Sequence, residues 1–467
     1  MGTISDKLMR VINTKEDIRQ ALISKGYDVP TSIPFKEYAK MISDLPCRVD
    51  SFPDIEGIVA RYSALGLTNE QMAANPVWVD KTGNGHDLQM KNFAWKEGSG
   101  ISDIYPGALV FDGVDDYGAC DNFPILTKEK GYTVVALRQW ITRGEIAQGL
   151  VSNVKNWLKD GAFLLEYRNI QSDHLNKPIS FGAIGSEMDL PHILTYQTSK
   201  SYNGVSITTG NFEGTDVLHV GKLAPTNVET CINAAIWELV FLDHDATEEE
   251  LTKIKDYFVK TYPWLFPDQA WTVTGKTNED EDRATIANIT GNGNNLVLSN
   301  FGFIEGSGYN EEGEYAGYLV TDGVDDEVRS AAFTLNEDWT IVGNWEFITN
   351  ENKNAGLTKV YSFYLYNRDY GIFVYEYLNA GQGFSVEDVK SLKAICSDGR
   401  IYLNDWQEIR NNIEQEATIS KGVMAIGYFN RDFTKMAFKN LGIYNNQLLS
   451  KDDCIKAYNY LQTLKAK

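Results

Sequence analysis

The aspartates with the tightest spacing sit in the run Asp112-Gly113-Val114-Asp115-Asp116, with Asp80 and Asn84 upstream in Asp80-Lys81-Thr82-Gly83-Asn84-Gly85. Oxygen donors of this kind suit a hard cation such as Ca²⁺, and Asp80, Asp112, Asp115 and Asp116 form one candidate metal set. The competing reading is a tight turn, because Asp-Gly-x-Asp-Asp also places carboxylates where they accept backbone N–H bonds. The turn is the preferred expectation, and no other cofactor is expected. Retaining glycoside hydrolysis needs two carboxylates about 5–5.5 Å apart. The acidic run Glu279-Asp280-Glu281-Asp282 has the charges but lies in a polar stretch that reads as solvated loop. The histidines His86, His174, His192, His219 and His244 show neither metal-ligand spacing nor a partner Ser or Cys motif. No enzyme is expected.

Aromatic residues are the other candidate chemistry. Trp78, Trp95, Trp140, Trp237, Trp339 and Trp345 fall in runs that read as strands and are expected in a core. Trp157 and Trp406 lie beside polar loop residues and are the candidates for an exposed glycan contact. The cysteines Cys47, Cys120, Cys231, Cys396 and Cys454 are scattered, odd in number and without a Cys-x-x-Cys pair, so buried free thiols are expected.

These residues belong to a chain of 467 residues with 43 Lys+Arg against 64 Asp+Glu, a formal charge of −21. Such acidity with no basic cluster disfavours nucleic acid. Abundant aromatics and 39 Gly favour strands joined by tight turns. The start of the chain lacks the apolar region of a signal peptide, and no run approaches the ~18 apolar residues of a membrane span. Synthesis in the cytoplasm without standard export, and no membrane insertion, are expected.

An internal repeat organises the positions. TGNGHDLQMKNFAWKEGSG at 82–100 and TGNGNNLVLSNFGFIEGSG at 290–308 are identical at 11 of 19 positions. Asp112-Gly113-Val114-Asp115-Asp116 recurs as Asp322-Gly323-Val324-Asp325-Asp326, and Tyr132-Thr133-Val134-Val135 as Trp339-Thr340-Ile341-Val342. Each copy closes with a strand and a short amphipathic helix, expected over 247–257 and 450–460. Between these blocks run short apolar-alternating segments at 132–140, 163–167, 205–208, 216–220 and 236–242, separated by Gly, Asn and Asp. Many short strands and one late helix predict an antiparallel sandwich, built twice. Asn203-Gly204 is a hairpin turn, and Ser397-Asp398-Gly399 is placed opposite it in the second copy. The join falls at Pro263–Pro267.

Residues 1 to about 50 differ. Thr14 can cap a helix through Ile18, Ala21, Leu22 and Ile23 that stops at Gly26, and Pro34 can open a second through Tyr38, Ile42 and Leu45. Helices this short need a surface to dock on. Thr14-Lys15-x-x-Ile18-x-x-Ala21-Leu22-x-x-Lys25-Gly26 with Pro34-Phe35-x-x-Tyr38-x-x-Met41-Ile42 resembles a helical segment of tailed-bacteriophage virion proteins, over about 35 residues. Asp80 to Gly85, Phe111-Asp112-Gly113-Val114-Asp115-Asp116-Tyr117 and Tyr202-Asn203-Gly204 resemble the laminin-G-like, or concanavalin A-like, jelly-roll family. The second copy departs from that pattern with Asn288, Thr321 and Glu327.

The resemblances imply a mainly β chain: tandem antiparallel concanavalin A-like jelly-roll sandwiches at 53–266 and 267–467, preceded by a small α-helical anchor module at 1–52. They imply a non-enzymatic phage virion protein, a head or tail fibre or decoration protein, localised in the virion. Its expected partners are other virion proteins through the N-terminal module, two further copies in a homotrimer, and host-surface polysaccharide. A bacterial surface or secreted lectin-like adhesin is the alternative, and a glycan depolymerase the third reading.

Overall fold

The computed structural model describes Lys15, Arg19 and residues 52–466, except 128, 143–147, 162–163, 169–193, 207–212, 224–230, 292, 349–363, 367–370, 374–390, 411–421, 427, 430–431 and 434. The chain divides into two units, Met1–Pro53 and Asp54–Lys467. Lys15 and Arg19 are helical, and the rest of the two expected N-terminal helices lies outside the described residues.

The larger unit is mainly β, and every described strand pairing is antiparallel. In the first half, strands β12 (Val205–Ser206), β11 (Ser201–Tyr202), β10 (Leu194–Thr198), β7 (Thr133–Thr142), β14 (Asn233–Leu242), β5 (Leu109–Asp112) and β4 (Gly100–Ile101) form one sheet in that order, with β1 (Ile58–Ser63) also on β14. The facing sheet runs β2 (Val77–Trp78), β3 (Leu88–Lys91), β6 (Tyr117–Asp121), β13 (Glu213–Val220), β8 (Gln148–Gly161), β9 (Leu164–Arg168).

The second half repeats both sheets in the same strand order and adds a two-stranded ribbon of β28 (Tyr428–Phe429) and β29 (Asp432–Phe433). One sheet is β26 (Gln407–Arg410), β25 (Arg400–Leu403), β24 (Ser391–Cys396), β21 (Trp339–Phe347), β30 (Met436–Asn445), β19 (Tyr318–Val320), β18 (Gly308–Asn310), with β15 (Gln269–Thr272) on β30. The other is β16 (Thr285–Ile286), β17 (Leu296–Ser299), β20 (Glu327–Phe333), β27 (Gly422–Ile426), β22 (Tyr364–Tyr366), β23 (Gly371–Phe373).

Alternation creates each core. Leu88 and Met90 point in while Gln89 and Lys91 point out, and Leu296 and Leu298 repeat the pattern in β17. They meet Phe111, Val134, Ile236 and Phe241 in the first sandwich and Leu319, Ile341, Phe438 and Ile443 in the second, closing two cores. The central strands β7, β14, β21 and β30 are buried along most of both faces. Helix α2 (Glu248–Thr261) is capped by Thr247 in a reciprocal capping box with Glu250, and helix α3 (Lys451–Gln462) by Ser450. Both start where the capping residues in the sequence predict. Pro263–Leu265 forms a 3₁₀ turn at the join. Among the described residues no helix is long and apolar enough to cross a membrane.

Two local expectations are corrected, and one element is added. Asn203-Gly204 turns β11 into β12, whereas Ser397-Asp398-Gly399 turns β24 into β25, one hairpin earlier in the repeat. The true counterpart of Asn203-Gly204 is Asn404-Asp405-Trp406, where Asn404 and Trp406 take φ of 44° and 63°. Trp95 is not in a strand: it sits at φ 51° in a turn, stacked on Phe93 at 4.9 Å and half-buried against the core. Helix α1 (Asn69–Ala74), capped by Thr68 with Gln71, is an addition with no sequence expectation behind it.

Candidate functional site

The structure brings Asp112, Asp115 and Asp116 together, and Asp322, Asp325 and Asp326 likewise, with one ligand atom from each residue within 4.8 Å of the others. The reason is local. Asp112 closes β5, and its Oδ1 accepts from Val114 N at 2.7 Å and Asp115 N at 3.3 Å. The Asp112 N–H in turn donates to Asp116 Oδ2 at 3.0 Å. The second copy has the same bonds: Val324 N to Asp322 Oδ1 at 2.7 Å, Asp325 N to the same oxygen at 3.3 Å, and Asp322 N to Asp326 Oδ2 at 2.7 Å. Ser307 Oγ donates to Asp326 Oδ1 at 3.0 Å. These are turns that the aspartates hold by accepting backbone and hydroxyl protons.

Their burial has an electrostatic cost. Desolvation pushes the Asp116 carboxyl up to about 7, against the pull of Ser99 and the Asp112 N–H, and Asp112 and Asp115 add to the rise. Desolvation likewise raises Asp326 to about 6. The paired sites carry the same chemistry twice.

Asp80 is not part of that cluster. Its Oδ1 accepts from Arg61 N at 3.0 Å, Thr82 N at 3.0 Å and Thr82 Oγ1 at 2.8 Å, tying the Thr82-Gly83-Asn84-Gly85 loop to β1. Asn288 does the same in the second copy, accepting from Ala270 N at 3.2 Å, Thr290 N at 3.0 Å and Thr290 Oγ1 at 2.9 Å. A neutral amide oxygen suffices, so the position works as a loop clamp.

The tryptophans divide sharply. Trp78, Trp237, Trp264, Trp271, Trp339 and Trp345 are fully buried and Trp140 nearly so. Trp157 falls within β8 and not in a loop, and its side chain lies outside the described residues. Trp406 is half-buried at the turn between β25 and β26, with its ring 6.0 Å from Tyr402 and 5.6 Å from Tyr458 of α3, the latter edge-on at 89°. Lys393 Nζ lies 4.5 Å from the Tyr458 ring centre and donates to its hydroxyl at 2.9 Å. The polar neighbours of Trp406 mark it in the sequence, whereas Tyr402, Tyr458 and Lys393 carry no such signal. The tertiary fold alone brings those three to it.

The remaining candidates are dispersed. His86 packs edge-on against Phe123, His219 lies on β13 beside Lys222 with burial lowering its pKa, and His244 sits between Asp243 and Glu250 at 3.2 Å each. His174, His192 and Cys47 lie outside the described residues. Cys120, Cys231, Cys396 and Cys454 are buried thiols outside any disulfide. A hydrogen bond between Cys396 and Cys454 holds the Cys396 thiol below its ordinary range and pushes Cys454 above it. Glu279 to Asp282 form an exposed turn in which Asp280 accepts from Thr277 N at 3.0 Å and Asp282 pairs with Lys276 at 2.5 Å.

Comparison with known proteins adds little to this geometry. No family model and no curated protein matches the chain. Among solved structures it is similar to the binding domain of botulinum neurotoxin serotype D/C at 8% identity, over 84% of this chain and 99% of that one, with a TM-score of 0.31. It is similar to the Trypanosoma rangeli sialidase in complex with sialic acid at 11% identity and a TM-score of 0.28, over 44% of this chain. The match spans about a third of that sialidase's length, at 34%. Similarity at this level assigns no activity.

Proposed function

We propose that this chain is a non-enzymatic phage virion protein, a head or tail fibre or decoration protein that displays two lectin-like sandwiches behind an N-terminal anchor. The observation that supports the reading is the fate of the duplicated carboxylates: both copies use the Asp-Gly-Val-Asp-Asp aspartates to hold turns, and the Asp80 clamp of the first is a neutral Asn288 in the second. The two-sandwich scaffold keeps its chemistry for holding shape, and the half-buried aromatic group at Trp406 is added in the second copy. Display suits a strongly acidic surface, which keeps many neighbouring copies soluble. The N-terminal segment would bind another virion protein, and the assembly would be a homotrimer.

Electron microscopy of virions decorated with antibody against residues 54–467 tests this reading. Label at the head or tail surface is expected; a stable monomer that never co-purifies with virions contradicts it. Incubation with host polysaccharide is expected to release no new reducing ends, whereas their appearance would establish a depolymerase.

A further inference from the structure

We propose that the outer face of the second sandwich, beside α3, is a binding site for neutral hexose-type glycans. The inference deepens the lectin-like reading above and rests on it. Five adjacent strands contribute to one row: half-buried Tyr318 from β19, Lys439 from β30, Glu346 from β21 and Lys393 from β24, with the buried Asn344 of β21 and the buried Tyr402 of β25 supporting them. Helix α3 adds Tyr458.

The parts interlock. Asn344 Nδ2 donates to the Tyr318 hydroxyl at 2.9 Å, which lies 3.5 Å from Glu346 Oε1. Lys439 Nζ stands 5.4 Å from the Tyr318 ring. Burial and the Glu346 charge push both Tyr318 and Tyr458 up to about 12, so both phenols keep their protons at neutral pH and can donate. Trp406 and Tyr458, edge to face, form an apolar corner next to these polar groups.

An aromatic corner beside a carboxylate and phenol hydroxyls matches a sugar, whose C–H faces lie on rings while its hydroxyls take directed hydrogen bonds. Lys393 is committed to Tyr458, and Glu346 and Asp405 face it from either side. With the chain's −21 charge, this balance disfavours polyanions.

The first sandwich lacks the row. Ala108, Gln139 and Lys255 stand where the second has Tyr318, Glu346 and Tyr458. Its Gln139 Nε2 instead donates to Thr463 of the second sandwich at 3.2 Å. Among the described residues Tyr318, Glu346, Lys393, Trp406 and Tyr458 are each half-buried, so part of each side chain reaches the surface.

The test is binding of the full chain to immobilised neutral hexose oligosaccharides and to sialylated and sulfated counterparts, with Trp406→Ala, Trp406→Phe and Glu346→Gln. Retention on a neutral glycan is expected, weakened roughly tenfold or more by Trp406→Ala, partly restored by Trp406→Phe, and unchanged between about 50 and 500 mM salt. Far- and near-UV circular dichroism unchanged in Trp406→Ala assigns the loss to the site. Full binding by folded Trp406→Ala, or preference for the anionic glycans, overturns the site while leaving the lectin reading in place. No binding by the unaltered chain overturns both.

Discussion

Beneath its closing helix each sandwich buries polar groups at the same place, and the two copies do it with opposite chemistry. In the first, Glu238 of β14 pairs with Arg61 of β1 at 3.3 Å, both almost completely buried. Tyr262 donates to Glu238 at 2.6 Å, Ser63 lies 3.0 Å from the Tyr262 hydroxyl, and Arg61 donates to Tyr257 of α2 at 3.3 Å. In the second, the counterpart of Glu238 is Asn440, which accepts from Gln462 at 3.1 Å and donates to the Leu461 carbonyl at 3.3 Å. One fold thus tolerates a buried ion pair or a neutral amide at one position, provided every partner is present. The difference lies in what happens when a partner is removed: an orphaned buried charge costs more than an orphaned amide.

That contrast gives the largest expected effect. Glu238→Ala leaves Arg61 buried without its carboxylate and is expected to cost about 3–5 kcal/mol, against about 1–3 kcal/mol for Asn440→Ala. Urea denaturation of each variant measures this, and equal losses would break the comparison. Replacing both partners, Arg61→Met with Glu238→Leu, is expected to cost less than Glu238→Ala alone, since neither member of this pair is left without the other.

The paired aspartate turns give the next effect. Asp116 and Asp326 have ordinary values of 3.8 and are raised to about 7 and about 6 by burial, so the folded chain holds protons that the unfolded chain has released. Their contribution therefore falls as pH rises from about 4 to about 7, more through Asp116 than Asp326. Asp116→Asn is expected to flatten more of that slope in a thermal melt series than Asp326→Asn. A steeper slope in either variant would contradict the burial argument.

The smallest effect concerns the loop clamp. Because Asn288 does with one amide oxygen what Asp80 does with a carboxylate, Asp80→Asn is expected to change stability by less than about 1 kcal/mol, and Asp80→Ala by about 1–3 kcal/mol. Chemical denaturation separates them. A large loss in Asp80→Asn would show that the second carboxylate oxygen matters, as it accepts from His86 N at 3.3 Å.

Much of the scaffold was legible because its signals are local. Thr247 and Ser450 mark the helix starts through caps a few residues long, and the Asp-Gly-Val-Asp-Asp turn bonds within five residues. The hairpin register is not legible in the sequence because the β24–β25 and β25–β26 turns both have Gly- or Asn-based sequences; only strand pairing distinguishes them. Trp95 reads as a strand residue by its neighbours, yet the stack on Phe93 holds it in a left-handed turn. Arg61 with Glu238, or Glu346 and Lys393 with Tyr458, are far apart in sequence and carry no pattern until the sheets and helices form.

Hydrogen exchange of the full chain, with and without a saturating neutral oligosaccharide, tests the asymmetry between the sandwiches most directly. Slowed exchange confined to the backbone around Tyr318, Glu346, Lys393 and Trp406, with the first sandwich unchanged, is the expected result. Protection at the Asp112–Asp116 and Asp322–Asp326 turns, or across the first sandwich, would contradict the account.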